Sequence, residues 1–490
     1  MKGQSDKKPD RMVFECCSEL QRKKEGIMKR LSKTGTVIGG SGQKRQDILM
    51  DDVTGTICMV ADRIDMDLEN EAAEIIDASG KLIFPGFIDA HTHFDLEVSG
   101  TVTADDFASG TRAAVSGGTT TIIDFATQNR GETLTEALAN WHKKADGRCS
   151  CDYGFHMAIS DWNDKISREL EIMIREGVTS FKLYMTYDNM VLDDKAIYQV
   201  LKRLKQLGGI AGVHCENKGL IDALVEEEKA LGHFAPSSHP KTRPDLAEAE
   251  AVDRLLKLAK AAEAPVIVVH LSTAAGYEEA ALARSKGQEV YLETCPQYLV
   301  MDERRYEEPG FEGAKYVCSP PLRKTADQEC LWKALKEDRI QTIATDHCSF
   351  TLEQKAAGKD DFSRIPNGMP GTETRPAVIY TCGVRKQRIS LEQMCRLLSE
   401  QPARLYGLYP RKGCIAPGSD ADLVIWNPEA SRTLSVENQQ ANTDYCPLEG
   451  MEVSGMAEQV YLRGQLAAES GKVVKEHTGR FLKREKYQTF

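Results

Sequence analysis

Three textures of apolar and polar positions follow one another along the chain. Between Leu31 and Gly80, short segments such as TGTVIGG, DILMDD and GTICMVAD alternate with turn residues, which predicts small antiparallel strands. From about Lys81 to Arg411 the pattern changes. Buried-strand runs, among them TTTIIDFA, SFKLYM, IAGVHCEN, APVIVVHLS, EVYLETCP and IQTIATDH, are separated by amphipathic stretches such as LDDKAIYQVLKRLKQLG and DLAEAEAVDRLLKLAKAAE. Continuous apolar strands alternating with helices predict a parallel sheet covered on both faces. At about 40 residues per strand-helix unit the segment holds about eight units, the count of a (β/α)8 barrel. An open doubly wound sheet is the competing reading, but no GxGxxG loop follows the first strand. The short-strand texture returns in GCIAPGSDADLVIWNP and EQVYLRGQLAAESGKVV, so residues 28–80 and 412–475 are expected to form one smaller β-sandwich, with 476–490 as a tail.

The first 27 residues are lysine-rich and aperiodic and are expected to be disordered or to lie outside the working fold. Lys24-Glu25-Gly26 can be encoded by a purine-rich ribosome-binding sequence two codons before Met28, which makes Met28 the expected start. The segment also lacks the apolar core and cleavage site of a signal peptide, so a cytoplasmic enzyme is expected.

Composition narrows the partners. With 63 Lys and Arg against 74 Asp and Glu, the formal charge is −11, which argues against nucleic acid or an anionic membrane surface. No apolar run approaches the roughly 20 residues that a membrane span needs. Fourteen cysteines scatter without a CxxC pair, so reduced thiols are expected and a thiolate zinc site is not.

The chemistry begins at FPGFIDAHTHFD. A strand points alternate side chains to one face, so His91 and His93 converge on one point while Thr92 turns away. Other ionisable residues close the later apolar runs: Lys182, His214, His270 and Asp346. In a barrel all such ends open on one mouth. Four imidazoles and a carboxylate suit Zn²⁺, or Mn²⁺, Co²⁺ and Fe²⁺ with less selectivity. An ammonium would be repelled in that cluster, so Lys182 is expected to be neutral or modified, as in an anionic carbamate formed with carbon dioxide.

With these residues in place the chain resembles the binuclear amidohydrolases, and among them the dihydropyrimidinase and hydantoinase family. The resemblance runs from Met28 to about Arg484 through PGFIDAHTHF, GGTTTIIDF, SFKLYMTY, VHCEN, VHLS, ETCPQYL, SPPLR, ATDH, NGMPG, PARLYGL and GSDADLV. It implies that His91, His93, Lys182 and Asp346 hold one of two divalent metals, and that Lys182 as N6-carboxylysine, His214 and His270 hold the other. It implies hydrolytic opening of cyclic ureides: 5,6-dihydropyrimidines to N-carbamoyl β-amino acids, as in pyrimidine degradation, or 5-substituted hydantoins to N-carbamoyl amino acids. It also implies a homotetramer, with the tail TGRFLKREKYQTF either packing on a neighbour or solvated.

Departures from close relatives bear on the substrate. Dihydroorotase-like members carry an arginine two places after HxH, where this chain has Asp95, and allantoinase-like members have a Pro-Gly soon after it, which HFDLEVSG lacks. Both departures favour a neutral ring. Asp346 is the expected proton shuttle. The resemblance assigns Tyr187 to the developing oxyanion and backbone atoms at Ser319 and Asn367 to the ring's imide edge, while Phe94, Leu96 and Met190 are expected around the ring substituent. His347 and His156 are read as packed residues without a ligand role. An allantoinase-like hydrolase and a non-enzymatic scaffold resembling the collapsin response mediator proteins are the alternatives; the scaffolds have lost metal ligands, and here all six are present.

Overall fold

The computed structural model describes residues 29–64 and 74–489, so the expected extension 1–27 and the expected start at Met28 lie outside the described residues. Eight parallel strands form the central sheet: Phe87–Thr92, Thr119–Thr127, Asp152–Ala158, Ser180–Tyr184, Ile210–His214, Val266–Val268, Val290–Thr294 and Thr342–Ile343. They pair in chain order, and a parallel bridge between Thr92 and His347 links the first strand to the segment after the last. Every residue of these strands is buried except Thr127, as expected for a sheet covered on both faces. Arg375 straps the closure: its guanidinium donates to the Ile88 carbonyl at 2.8 Å and the Ile343 carbonyl at 2.9 Å, one on each side of the seam.

The amphipathic stretches form the outer helices. In Asp194–Leu207 the Asp193 side chain caps the first turn by accepting from the Ala196 amide, and Gly208 ends the helix at φ 75°, a left-handed conformation that favours glycine. Ile197, Val200, Leu201 and Leu204 form its buried stripe, at the spacing that aligns residues on one helical face. Each such side chain, fully buried, contributes about 1.5–3 kcal/mol.

Both chain ends contribute to a second, mixed sheet of nine strands. Leu82–Pro85, counted with the barrel segment from the sequence, is the seam strand here: it pairs parallel with Lys29–Gly39 and antiparallel with Leu423–Thr433. A separate core that includes Ile48, Ile57, Ile83, Leu423 and Tyr461 fills this unit. The tail packs on its own chain. From Thr478 to Gln488 it runs back along this chain's own barrel floor, with Leu482 donating its amide to the Tyr153 carbonyl at 2.7 Å and Arg484 to that of Gly177 at 3.0 Å. Arg484 is buried there and donates to the Ser180 hydroxyl at 2.7 Å and to the Phe155 carbonyl.

A buried ion cluster joins the two units. The Lys412 ammonium lies 2.7 Å from Asp152 at the start of a barrel strand, and 2.6 Å and 3.0 Å from Asp422 and Asp420 beside the mixed sheet. Arg463 adds a second cation on Asp152. Burial opposes the lysine's charge, but the three carboxylates outweigh it and hold its pKa above the ordinary value. Removing that charge strands the carboxylates away from water. Lys412→Met is therefore expected to destabilise the protein by about 3–5 kcal/mol, read as a lowered unfolding midpoint in a thermal melt.

Candidate functional site

A cavity of about 680 Å³ opens at the C-terminal ends of the barrel strands, with His93, Lys182, His214, His270 and Asp346 in its wall. His91 lies directly beneath, at 1% exposure. The strands deliver these groups as expected: His91 and His93 leave the first, Lys182 sits within Ser180–Tyr184, His214 ends Ile210–His214, and His270 and Asp346 follow the short strands Val266–Val268 and Thr342–Ile343. All six meet. The candidate ligand atoms of His91, His93 and Asp346 lie within 4.8 Å of one another. Asp346 Oδ1 is 3.2 Å from His91 Nε2 and 3.0 Å from His93 Nε2. Lys182 Nζ is 3.3 Å from His91 Nε2 and 3.4 Å from His270 Nε2, and the rings of His214 and His270 are 4.6 Å apart.

Burial sets the charge states. It pulls His93 down to about 4 against the pull of Asp346, and it lowers His214 and His270 as well. It lowers the Lys182 ammonium to about 8, with Asp346 opposing. Burial would raise the Asp346 carboxyl, but His91 and His93 hold it well below the carboxylate range. Burial and Lys182 disfavour a proton on His91, yet Asp346 and Glu293 together outweigh them and raise it. At His93, His214 and His270 the neutral imidazole, and at Asp346 the ionised carboxylate, are the protonation states that metal ligation requires.

Behind these groups stands a set of partners that sequence reasoning missed. The Glu293 carboxylate is 2.7 Å from His91 Nδ1, which leaves Nε2 as the free donor facing Lys182. Glu216 lies 2.7 Å from His214 Nε2 and accepts from Arg243 at 2.5 Å, which directs His214 Nδ1 toward the cavity. Asp124 accepts from the Thr92 hydroxyl at 2.8 Å and the Phe94 amide at 3.0 Å, fixing the turn that carries His93. Glu293 stands in the C-terminal half of a barrel strand, close to where the six candidates stand on theirs, and Glu216 stands two places after a candidate histidine, so the position of each carried a signal.

The remaining expectations divide. His347 is a packed residue: Asp105 accepts from its Nε2 at 2.9 Å, and its Nδ1 accepts from the Gly371 amide at 3.1 Å. His156 likewise packs, between the Ser180 hydroxyl at 2.6 Å and the Ala90 carbonyl at 2.9 Å. Tyr187, Ser319 and Asn367 line the cavity, and Ser319 Oγ and Asn367 Oδ1 are buried without a partner in the protein. Leu96 and Met190 line it too, but Phe94 does not. Phe94 is fully buried on the opposite side, edge-on to Phe107 and against Gly110, where a Cβ would stand 2.2 Å from its ring. Strand alternation turns it away from the face that His91 and His93 share. Tyr187, His270 and Asp346 adopt left-handed φ angles of 70°, 40° and 52°. Such conformations cost on the order of 1–3 kcal/mol each and persist only where the surroundings enforce them.

The donor set fits a pair of divalent cations. His91 and His214 each have one ring nitrogen engaged by a carboxylate and the other turned to the cluster, the arrangement of a supported metal ligand. A second charge would be offset by converting the one amine of the cluster to an anion.

The Amidohydrolase family model matches residues 82–467. The chain is 45% identical over 464 residues to a D-hydantoinase of Geobacillus stearothermophilus, covering 94% of this chain and 97% of that one. It is 41% identical over 464 residues to a D-phenylhydantoinase of Escherichia coli O1:K1, covering 94% and 99%. Among solved structures it superposes on a dihydropyrimidinase from Brevibacillus agri with a TM-score of 0.92 at 44% identity, over 94% of this chain and all of that chain (100%). An L-hydantoinase (dihydropyrimidinase) from Arthrobacter aurescens gives 0.84 at 30% identity, over 92% and 99%. Among the described residues no helix is long and apolar enough to cross a membrane.

The contact between Glu293 and His91 yields a direct test. Glu293→Gln is expected to weaken zinc affinity about 10–100-fold, measured by competition with a chromophoric chelator, while the fold is retained.

Proposed function

This chain belongs to the amidohydrolase family and is a cyclic amide hydrolase, and on that premise we propose that it opens neutral cyclic ureides: 5,6-dihydropyrimidines and 5-substituted hydantoins. The observation that carries the reading is the convergence of His91, His93, Lys182, His214, His270 and Asp346 on one cavity, with the imidazoles of His93, His214 and His270 held neutral by burial. In this proposal His91, His93, Lys182 and Asp346 hold one divalent ion and Lys182, His214 and His270 the other. Zinc suits the donors best, and Mn²⁺, Co²⁺ or Fe²⁺ are accepted by the same set. When bound, the ions supply an activated water at neutral pH and polarise the ring carbonyl.

Lys182 would become the shared anion by attack of its neutral amine on carbon dioxide: one N–C bond forms as one C=O π bond opens onto oxygen, and one N–H proton passes to solvent. A pKa lowered to about 8 by burial enlarges the neutral fraction available for that step. Asp346, ionised and in contact with His91 and His93, takes the proton of the attacking water and returns it to the leaving ring nitrogen. Tyr187, at the cavity wall with its hydroxyl kept protonated chiefly by burial, donates to the developing oxyanion. Ser319 and Asn367 read the imide edge through backbone atoms.

The cavity supports a neutral ring. Asp95 turns away from it, accepting from the Phe107 amide at 3.2 Å near Arg148, and Lys218, which lines the cavity, is paired with Asp188 and Asp222. Arg243 does reach the wall, but its charge is taken up by Glu216. We extend the proposal to a cytoplasmic homotetramer acting in pyrimidine degradation; sedimentation analysis that returned a monomer at working concentration would overturn the tetramer.

With zinc and bicarbonate supplied, dihydrouracil, dihydrothymine and aryl hydantoins are expected to be opened and allantoin not. Turnover of allantoin alone would overturn the substrate assignment. Asp346→Asn is expected to lower kcat by about 10²–10⁴-fold. Isotopically labelled bicarbonate is expected to give a carbamate carbon signal that Lys182→Ala lacks.

A further inference from the structure

We propose that Lys355 is a positioning residue for ring recognition: its ammonium staples together the two loops that carry Ser319 and Asn367 and so sets their spacing across the cavity. This rests on the reading of those two residues as the imide-edge readers.

Lys355 ends the short helix Leu352–Lys355 and is completely buried. Its Nζ donates to the Val317 carbonyl at 3.0 Å and to the Pro366 carbonyl at 3.0 Å. Val317 stands two residues before Ser319, and Pro366 immediately precedes Asn367. No carboxylate forms an ion pair with this ammonium among the described residues; its polar partners are those two carbonyls, with the Phe350 ring 5.9 Å away. A buried cation without a counterion is costly, and a residue that served packing alone would be better replaced by a methionine or leucine. What the ammonium adds is a pair of charge-assisted donors that address two loops at once.

The surroundings agree. The Gly368 amide donates to the same Val317 carbonyl at 2.9 Å, so the loops also touch directly. His239 donates to the Cys318 carbonyl at 2.8 Å, and the Tyr298 hydroxyl to the Pro320 carbonyl at 2.8 Å. The carbonyls on both sides of Ser319 are thus occupied from behind, while no hydrogen bond engages the Ser319 carbonyl among the described residues. With its neighbours held, that group is presented to the cavity as a fixed acceptor, and among the described residues Lys355 is the side chain that hydrogen-bonds to both loops and so registers it against Asn367. Burial lowers the lysine to about 7, and its two carbonyl acceptors oppose that by favouring the protonated form.

The test compares wild type, Lys355→Met and Lys355→Gln as metal-loaded full-length proteins with dihydrouracil. For Lys355→Met, KM is expected to rise about tenfold or more, while kcat stays within about threefold and metal content is unchanged. Lys355→Gln, which keeps an N–H donor, is expected to recover part of the KM. A residue with a merely structural role would lower the melting temperature without this split, and unchanged KM in both variants overturns the proposal. If Lys355→Met fails to fold, Lys355→Gln carries the test: a KM raised about threefold with kcat retained supports it, and wild-type KM overturns it. If wild type opens none of the rings, the imide-edge reading has failed. Hydrogen exchange at residues 317–319 and 366–368 then decides the staple separately, since faster exchange in Lys355→Gln supports it and unchanged protection sinks it.

Discussion

In a closed parallel sheet every strand delivers its C-terminal residue to the same rim, so His93 and Asp346, 253 positions apart, meet at 3.0 Å. Closure at Thr92 and His347, strapped by Arg375, is what turns six distant residues into one cluster. Burial adds to the arrangement by disfavouring a proton on His93, His214 and His270. A basic cluster in solvent would repel a cation; this one offers lone pairs.

Two buried amines in this barrel show how the second layer decides what a side chain can do. Lys182 faces the imidazole nitrogens of His91 and His270, and burial lowers its ammonium to about 8. Lys355, also lowered by burial, is met instead by two backbone carbonyls that accept from its Nζ. The same residue type thus faces ring nitrogens in one place and fixed backbone acceptors in the other. Glu293 and Glu216 play the corresponding part for the histidines, each engaging one ring nitrogen and freeing the other.

The site also draws on the rest of the fold for rigidity. Left-handed backbone at Tyr187, His270 and Asp346 stores strain that only a well-packed scaffold retains. The mixed sheet and the tail supply that scaffold from outside: Lys412 fastens the sheet to a barrel strand, and Arg484 closes the floor beneath His156 by way of the Ser180 hydroxyl.

Much of this was legible in the residues themselves. Runs of apolar residues in alternation with amphipathic helices prescribe a covered parallel sheet, because period and length depend only on local geometry. Given the barrel, His91, His93, Lys182, His214, His270 and Asp346 could be named from their place at strand ends. The partners across the barrel could not. Glu293 reaches His91 from 202 positions away, Lys355 bridges loops that neither precede nor follow it directly, and the tail runs back along its own barrel. Phe94 shows the boundary between the two kinds of information: alternation already turns it from the shared face, but only packing against Gly110 and Phe107 fixed where it went. Sequence period sets the face a side chain takes, whereas its partner depends on strand register and loop path, which are settled only when the whole sheet closes.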